Sequence, residues 1–522
     1  MDKQSENTFL TFIKKIPGSA KAAFISCFIV GYIAHLYAFT NVIVNPDGIS
    51  RVFDPQQMTI SGRWFLHYAS AWNGYIQAPA LIGFFSVLFI SLAAAFTVHL
   101  LEIKNKVIAS FIGAFMIIFP SMAFTFLFMF TASAYCFAVL LAVVSVWLAK
   151  KYKFGFLFGA IPLACAIGTY QAYVAVAAAL TLIVLILFSL EKERKIKDVL
   201  ILTAKMTVLL ALSLLLYAVV LKIFLAVKDL TLIDYKGISS MGSSSWIKDT
   251  LSKIPEAYRK FFSYYFKANG FATYTTVFTV ILNIAFAILG LCSFLVLIIR
   301  GKIFKSPLVL ICLIVFCALV PLAFNVTVLM DSATPIMRYA LVFTYILALA
   351  LTDRAEHPAL LLSVSGISVL LCIVSVWIGN LAYTAYETEQ RSAESFMTRL
   401  VERIESTPGY QSNMEVVIIG GYPKNTYYST IDEFLVIADP VPAYFIPNNK
   451  HLYYYLNDWI NVPWKMPDES VMMEISDSEE FKAMPLYPDD GSIIISGNRV
   501  IVRLSEAYHP KQEFEIQYEN RR

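Results

Sequence analysis

The sequence predicts an α-helical polytopic membrane protein of about eleven transmembrane helices, followed by a small C-terminal extracytoplasmic α/β domain. Three observations carry that expectation. The chain of 522 residues is 58% hydrophobic and 15% charged, with mean hydropathy +0.66, against about 45–50% apolar and about 25% charged in soluble domains. Its apolar runs stay uncharged over roughly 18–25 residues, the length that crosses a hydrocarbon core. After residue 383 these runs stop and an ordinary soluble composition takes over.

Residues 1–19 are polar, carry Lys14 and Lys15, and read as a cytoplasmic N-terminus. The first span, 20–44, is too long for a removed signal peptide and lacks a small-residue cleavage site. Further spans are expected near 79–101, 107–127, 132–149, 154–168, 171–190, 200–226, 272–299, 307–327, 335–352 and 359–383, so that 20–383 forms one transmembrane domain. Connector charges orient them. Lys104 and Lys106, Lys150 to Lys153, Lys192 to Lys197, Arg300 to Lys305, and Arg354 fall on alternate connectors, which the positive-inside rule places in the cytoplasm. The first loop, 45–78, and the odd-numbered C-terminal tail are then extracytoplasmic, in a cytoplasmic (inner) membrane. All seven cysteines lie inside expected spans, so no disulfide framework or metal cluster is indicated. The net charge of +4 is small for this length and gives no reason to expect nucleic acid as a partner.

The first loop is unusual. Most other short connectors on its side are nearly uncharged, whereas residues 45–72 hold Asp47, Arg51, Asp54 and Arg63. Asp54-Pro55 reads as a helix start, and Met58, Trp64, Phe65 and Tyr68 as the apolar side of an interfacial helix over 55–70. A second large loop, 228–270, breaks the charge pattern with Lys228, Lys236, Lys248, Lys253, Arg259, Lys260 and Lys267, though longer loops obey the rule less strictly. Its amphipathic stretch is either a solvated helix snorkelling its lysines or a platform for an anionic lipid or polymer. In the tail, 384–522, residues 384–406 extend the last helix, Glu415 to Ile419 read as a buried strand, and Gly497-Asn498 as a hairpin turn between two more.

Common catalytic signatures are missing: the chain has no H-E-x-x-H, G-x-S-x-G, Walker motif or zinc spacing. The scattered histidines, His35, His67 and His99 among them, read as structural. What remains is a carboxylate beside a membrane cleft, Asp47 or Asp54. Asp47 stands in Asn45-Pro46-Asp47-Gly48, a strong turn sequence, and Asp54 where a helix cap belongs, so each acid has a structural reading beside the catalytic one.

Four elements in order resemble the GtrII-type glucosyltransferases, polytopic enzymes of the GT-C class. They are Asp47 with Ser61-Gly62-Arg63-Trp64; Pro120-Ser121 and the aromatic run to Tyr135; Gly168-Thr169-Tyr170-Gln171-Ala172-Tyr173; and Met337-Arg338-Tyr339 at the start of a late span. The resemblance covers roughly residues 20–385. Family members often carry adjacent acids in the first loop. This chain has Asp47 and then Asp54, which leaves both open as the base. The resemblance implies a GT-C-like fold and transfer of a sugar, usually glucose, from a polyprenyl-phosphate-linked donor to a cell-surface polysaccharide or lipid-linked glycan acceptor. A donor-making glycosyltransferase and a flippase would be functional partners. No cofactor or obligatory metal is expected, since the donor is itself the polyprenyl-phosphate sugar.

In that setting a carboxylate takes the acceptor hydroxyl's proton, and a cation meets the growing phosphate charge. With one carboxylate acting as base, displacement inverts the anomeric centre. Candidate substrate-binding residues are Arg63, Trp64, Tyr170, Gln171, Tyr173, Lys222 and Arg338. Arg63 either pairs with an acid of the loop or contacts the carrier phosphate. Arg338 either snorkels or contacts that phosphate, with Lys222 as second choice. Tyr170, Gln171 and Tyr173 either bind sugar or anchor the interface. The competing class is a transporter or flippase for a lipid-linked saccharide. Such proteins favour midplane charges and internal repeats, neither of which the sequence displays.

Overall fold

The computed structural model describes residues 15–43, 48, 55–232, 244–270, 272, 274–329, 334–421 and 449–508. They divide near residue 383 into two compact units. One holds the described residues of 1–42 and 53–383; the other holds those of 384–522 with residues 43 and 48.

The first unit is all helix. Its elements are α1 (Gly18–Thr40), α2 (Pro55–Ile60), α3 (Leu66–Ala69), α4 (Pro79–Leu100), α5 (Lys106–Ile118), α6 (Pro120–Leu127), α7 (Met129–Lys151), α8 (Gly155–Thr169), α9 (Val174–Ser189), α10 (Ile196–Val227), α11 (Ser244–Ser252), α12 (Ile254–Phe266), α13 (Val277–Gly301), α14 (Pro307–Phe324), α15 (Val342–Ala355) and α16 (Pro358–Glu405), whose residues from 384 onward belong to the second unit. Two short 3₁₀ turns, Gln171–Tyr173 and Pro335–Leu341, precede α9 and α15. Among the described residues ten helices are long and apolar enough to cross a membrane, counting α5 with α6 and each 3₁₀ turn with its following helix. Helix α8 has 15 residues and at about 1.5 Å per residue falls short of a hydrocarbon core of about 30 Å. The chain is a multi-pass membrane protein.

Apolar residues surround most of these helices, so composition alone does not separate core from periphery. Packing does. Helices α5, α6, α9 and α15 are buried over most of their length, whereas α10, α13 and α14 are mostly exposed. Helix α1 packs on α4 and α5, α7 on α4 and α8, α10 on α8, and α13 on α15. His35 in α1 is satisfied at both ring nitrogens, by the Tyr383 hydroxyl at 2.7 Å and the Ile117 carbonyl at 2.9 Å, which is the structural role the sequence suggests for it. Pro120 separates α5 from α6: Phe119 before it has ψ 136, the extended conformation forced on a residue preceding proline.

The single helix expected over 55–70 is broken. Helix α2 stops at Ile60 because the Ser61 hydroxyl donates to the Met58 carbonyl at 2.9 Å and Gly62 turns left-handed at φ +79. Only Met58 and Trp64 of the expected apolar side are buried; Tyr68 is 50% exposed. In the second large loop, α12 is docked rather than solvated. Its Phe261, Tyr264 and Tyr265 are buried, and the Tyr265 hydroxyl donates to the Leu341 carbonyl at 2.6 Å.

The second unit carries a three-stranded sheet in the order β1-β3-β2, with β1 (Glu415–Ile419), β2 (Ile493–Ser496) and β3 (Arg499–Arg503). Strands β1 and β3 are parallel, pairing Val416 with Val500; β2 and β3 are antiparallel, pairing Ile494 with Ile501. One face packs on Met472, Ile475, Phe481 and Met484. Helix α17 (Asn449–Asp458) covers the free edge of β1. Its Tyr453 hydroxyl donates to the Val416 carbonyl at 2.8 Å and accepts from the Ile418 amide at 2.9 Å.

Candidate active site

Helix directions sort the connectors of the first unit into two sets. Helix α8 begins beside Lys150 and Lys151 and ends at Thr169; α15 begins after Arg338 and ends at Arg354 and Ala355. Tyr170, Gln171, Tyr173 and Arg338 therefore lie at the end of the bundle opposite Lys150, Lys151 and Arg354. Residues 61–65 join them there, since the Phe65 amide donates to the Gly168 carbonyl at 2.8 Å.

Ser61-Gly62-Arg63-Trp64 is held by a hydrogen-bond triangle. The Gln171 side-chain amide donates to the Ser61 carbonyl at 3.1 Å and to the Tyr217 hydroxyl at 3.2 Å. The Tyr217 hydroxyl donates to the Gly62 carbonyl at 3.1 Å. Glycine is required at 62 on two counts. Its positive φ disfavours any side chain, and a Cβ there would sit 2.5 Å from Gln171 Nε2 and 2.8 Å from the Tyr217 hydroxyl. Gly168 is required for a different reason: a Cβ would fall 2.5 Å from Trp64 Cε2. The Trp64 ring is buried and stacks on Phe224 of α10, 5.9 Å between centroids. Its indole N–H is buried with no hydrogen-bond partner among the described residues.

Arg63 lies against a stack of rings. Its Cζ is 4.9 Å from the centre of Tyr170. Tyr170 in turn stacks on Tyr135 of α7 at 5.0 Å, and Tyr173 meets both edge-on at 5.9 Å. A guanidinium over a ring gains about 0.5–2 kcal/mol and is held in a defined plane. Tyr170, Gln171, Tyr173 and Tyr135 are all buried.

The Gln171–Tyr173 turn packs on the Pro335–Leu341 turn, which also packs on α6. That second turn carries Arg338, 7% exposed. It is pinned on both sides. The Tyr339 hydroxyl donates to the Met116 carbonyl of α5 at 2.7 Å, and Tyr265 of α12 holds Leu341. Ionisable groups buried in a membrane protein are costly and mark function more often than in soluble domains. Lys222, by contrast, is exposed on α10, next to buried Leu221. Asp47 and Asp54 lie outside the described residues. Among the described residues no three His, Cys, Asp or Glu side chains gather as a metal site requires.

Tyr217 and Tyr135 are absent from the sequence-derived candidates. Tyr217 had a legible signal: the buried positions of α10 run Met206, Leu209, Ser213, Tyr217, Leu221, a helical stripe on which a tyrosine hydroxyl needs a partner.

The site thus brings together Ser61-Gly62-Arg63-Trp64, Tyr170-Gln171-Ala172-Tyr173, Tyr135 and the Arg338 turn, and helix α6, which opens at Pro120, packs against that turn. No curated protein and no solved structure matches the chain. A family model does: that of the glucosyl transferase GtrII family matches residues 36–352, more than half of the sequence and a span that contains every element of this site. The chain belongs to the GtrII glucosyltransferase family.

Proposed function

We propose that this glucosyltransferase takes glucose from a polyprenyl-phosphate-linked donor on the outer face of the cytoplasmic membrane and passes it to a cell-surface polysaccharide or a lipid-linked precursor. In this reading it is a GT-C enzyme whose aromatic end faces outward. The observation that carries it is the meeting of the Arg63–Tyr170 stack with the turn bearing buried Arg338.

Chemistry assigns the roles. The acceptor oxygen attacks the anomeric carbon while a carboxylate of the first loop, Asp47 or Asp54, removes its proton. The bond to the carrier phosphate breaks, and the phosphodiester leaves as a monoester with more negative charge than it began with. A guanidinium positioned for that charge stabilises the transition state more than the ground state. Arg338 is the first choice for the phosphate, at the border between apolar helices for the prenyl chain and the wet face, with Arg63 as the alternative. The packed rings of Tyr135, Tyr170 and Tyr173 brace Arg63 at the site. Direct displacement with a single base inverts the anomeric centre.

Transfer from polyprenyl-phosphate glucose in isolated membranes tests this reading. Asp47→Asn keeps the side-chain shape and removes the base, so activity should fall by about 10²–10⁴-fold at unchanged protein level. Asp54→Asn should be milder, as suits a helix cap. The reverse pattern would exchange the two roles. Full activity in both variants would exclude the first loop as the source of the base.

A further inference from the structure

At the charged end, the connector between α9 and α10 meets the one between α13 and α14 around a cavity of about 250 Å³. A water molecule's share of liquid volume is about 30 Å³, so this space suits a headgroup rather than one solvent molecule. Its lining includes four cations, Lys192, Arg194, Lys302 and Lys305, with Ser306 and a single acid, Glu193. The charges are unevenly matched. Lys192 reaches Glu193 at 3.7 Å, both well exposed. Arg194 pairs with Glu191 and lies 4.0 Å over the Phe188 ring, and its Nε is buried without a hydrogen-bond partner among the described residues. Lys302 and Lys305 have no acidic partner within 4.0 Å among the described residues. The Ser306 hydroxyl caps no amide of α14.

The surroundings are those of a lipid. Ile299, Phe304 and Leu308, chain neighbours of the lining residues, are 67%, 57% and 58% exposed, and in a membrane protein such side chains face acyl chains. Cationic groups collected beside apolar, lipid-facing side chains match a phosphate joined to hydrocarbon. A soluble phosphate would gain nothing from that apolar rim. Basic pockets between membrane helices bind anionic headgroups in this way. We propose that this cavity binds the phosphate headgroup of an anionic phospholipid and thereby ties the α9–α10 and α13–α14 connectors together. The site is separate from the aromatic end and does not depend on the sugar chemistry assigned there.

The full-length protein, purified in mild detergent with equal amounts of phosphatidylglycerol and phosphatidylcholine, should retain phosphatidylglycerol with a several-fold preference when bound lipid is counted by native mass spectrometry. Lys302→Gln with Lys305→Gln should bring the ratio near one in protein that still elutes as a single folded species by gel filtration. Lys195→Gln with Lys197→Gln removes the same charge from exposed positions outside the cavity and should leave the ratio intact. Millimolar inorganic phosphate should displace no lipid. Equal retention of the two lipids by the wild type, an unchanged ratio in the cavity variant, or equal losses in both double variants would each overturn the proposal. Displacement by inorganic phosphate would also overturn it, in favour of a soluble anion.

Discussion

The two ends of the helical unit hold their connectors by different means. At the charged end, ions and backbone carbonyls lock together. The Asp353 carboxylate accepts from the amides of Asn105 at 2.8 Å and Lys104 at 3.0 Å. Arg354 donates to Glu191 at 3.3 Å and to the carbonyls of Leu101 and Leu187 at 3.4 Å. Lys150 bonds Glu102 and the Leu100 carbonyl, each at 2.8 Å. At the aromatic end, side-chain amides, hydroxyls and stacked rings hold short turns in place, and two arginines sit within them. The first arrangement pairs charges with one another and with carbonyls. The second sets two arginines and a buried indole N–H in a frame of hydrogen-bonded turns and stacked rings, the kind of rigid support a binding site needs.

This contrast can be broken by mutation. Among changes to the frame itself, the largest effect is expected from Gly62→Ala, which forces a side chain into a left-handed residue, at about 1–2 kcal/mol, and against Gln171 and Tyr217. Displacing Arg63 and Trp64 by even an ångström should cost on the order of 10²-fold in turnover, read in a transfer assay with folded protein quantified by gel filtration. At the opposite end Arg354→Ala should do the converse. Hydrogen bonds to charged groups are worth about 1.5–3 kcal/mol, so the thermal midpoint should drop while turnover per folded molecule holds. Loss of turnover with unchanged stability would dissolve the distinction between the ends.

Most spans were legible because uncharged length in a sequence has one physical outlet, a hydrocarbon core, and the tail strands because Gly497-Asn498 signals a tight turn; the span expected at 154–168 is instead the short helix α8. The break at 61–65 was less legible. Met58, Trp64, Phe65 and Tyr68 suggest one continuous helix, and only the Ser61 hydroxyl and the left-handed Gly62 end it. Partnerships across the chain were not legible at all. Tyr217 reaches Gly62 over 155 residues, and Arg63 meets Tyr170 through a fold that local pattern cannot specify. Burial of Arg338 is a property of its packed turn, which the bare motif Met337-Arg338-Tyr339 does not disclose.

Smaller effects sharpen the comparison. Tyr217→Phe deletes one donor to the Gly62 carbonyl and one acceptor for Gln171. A net loss of about 1 kcal/mol should lower turnover several-fold without unfolding the protein, as steady-state kinetics would register. Smallest is the response of Glu102 to pH. Burial alone would push its carboxyl up, but the hydrogen bond from Lys150 and the charges of Lys150, Arg354 and Arg194 outweigh it and hold the group below its ordinary 4.5. A carboxyl lowered in the folded state binds fewer protons than in the unfolded one. Its stabilisation is therefore present above 4.5 and lost as pH falls through the lowered value. Thermal melts of Glu102→Gln below pH 4.5 should show a shallower decline than the wild type, and parallel curves would remove Glu102 from the network.

The most direct test bears on Arg338. Its replacements should be compared in membranes supplied with polyprenyl-phosphate glucose, with protein level and thermal midpoint recorded for each. Lysine keeps the charge but loses the planar fork that matches a phosphate. Arg338→Ala should be nearly inactive and Arg338→Lys clearly impaired, both in normally folded protein. Near-wild-type turnover in Arg338→Lys would contradict a phosphate clamp, return Arg338 to a structural role and leave Arg63 as the cation at the donor.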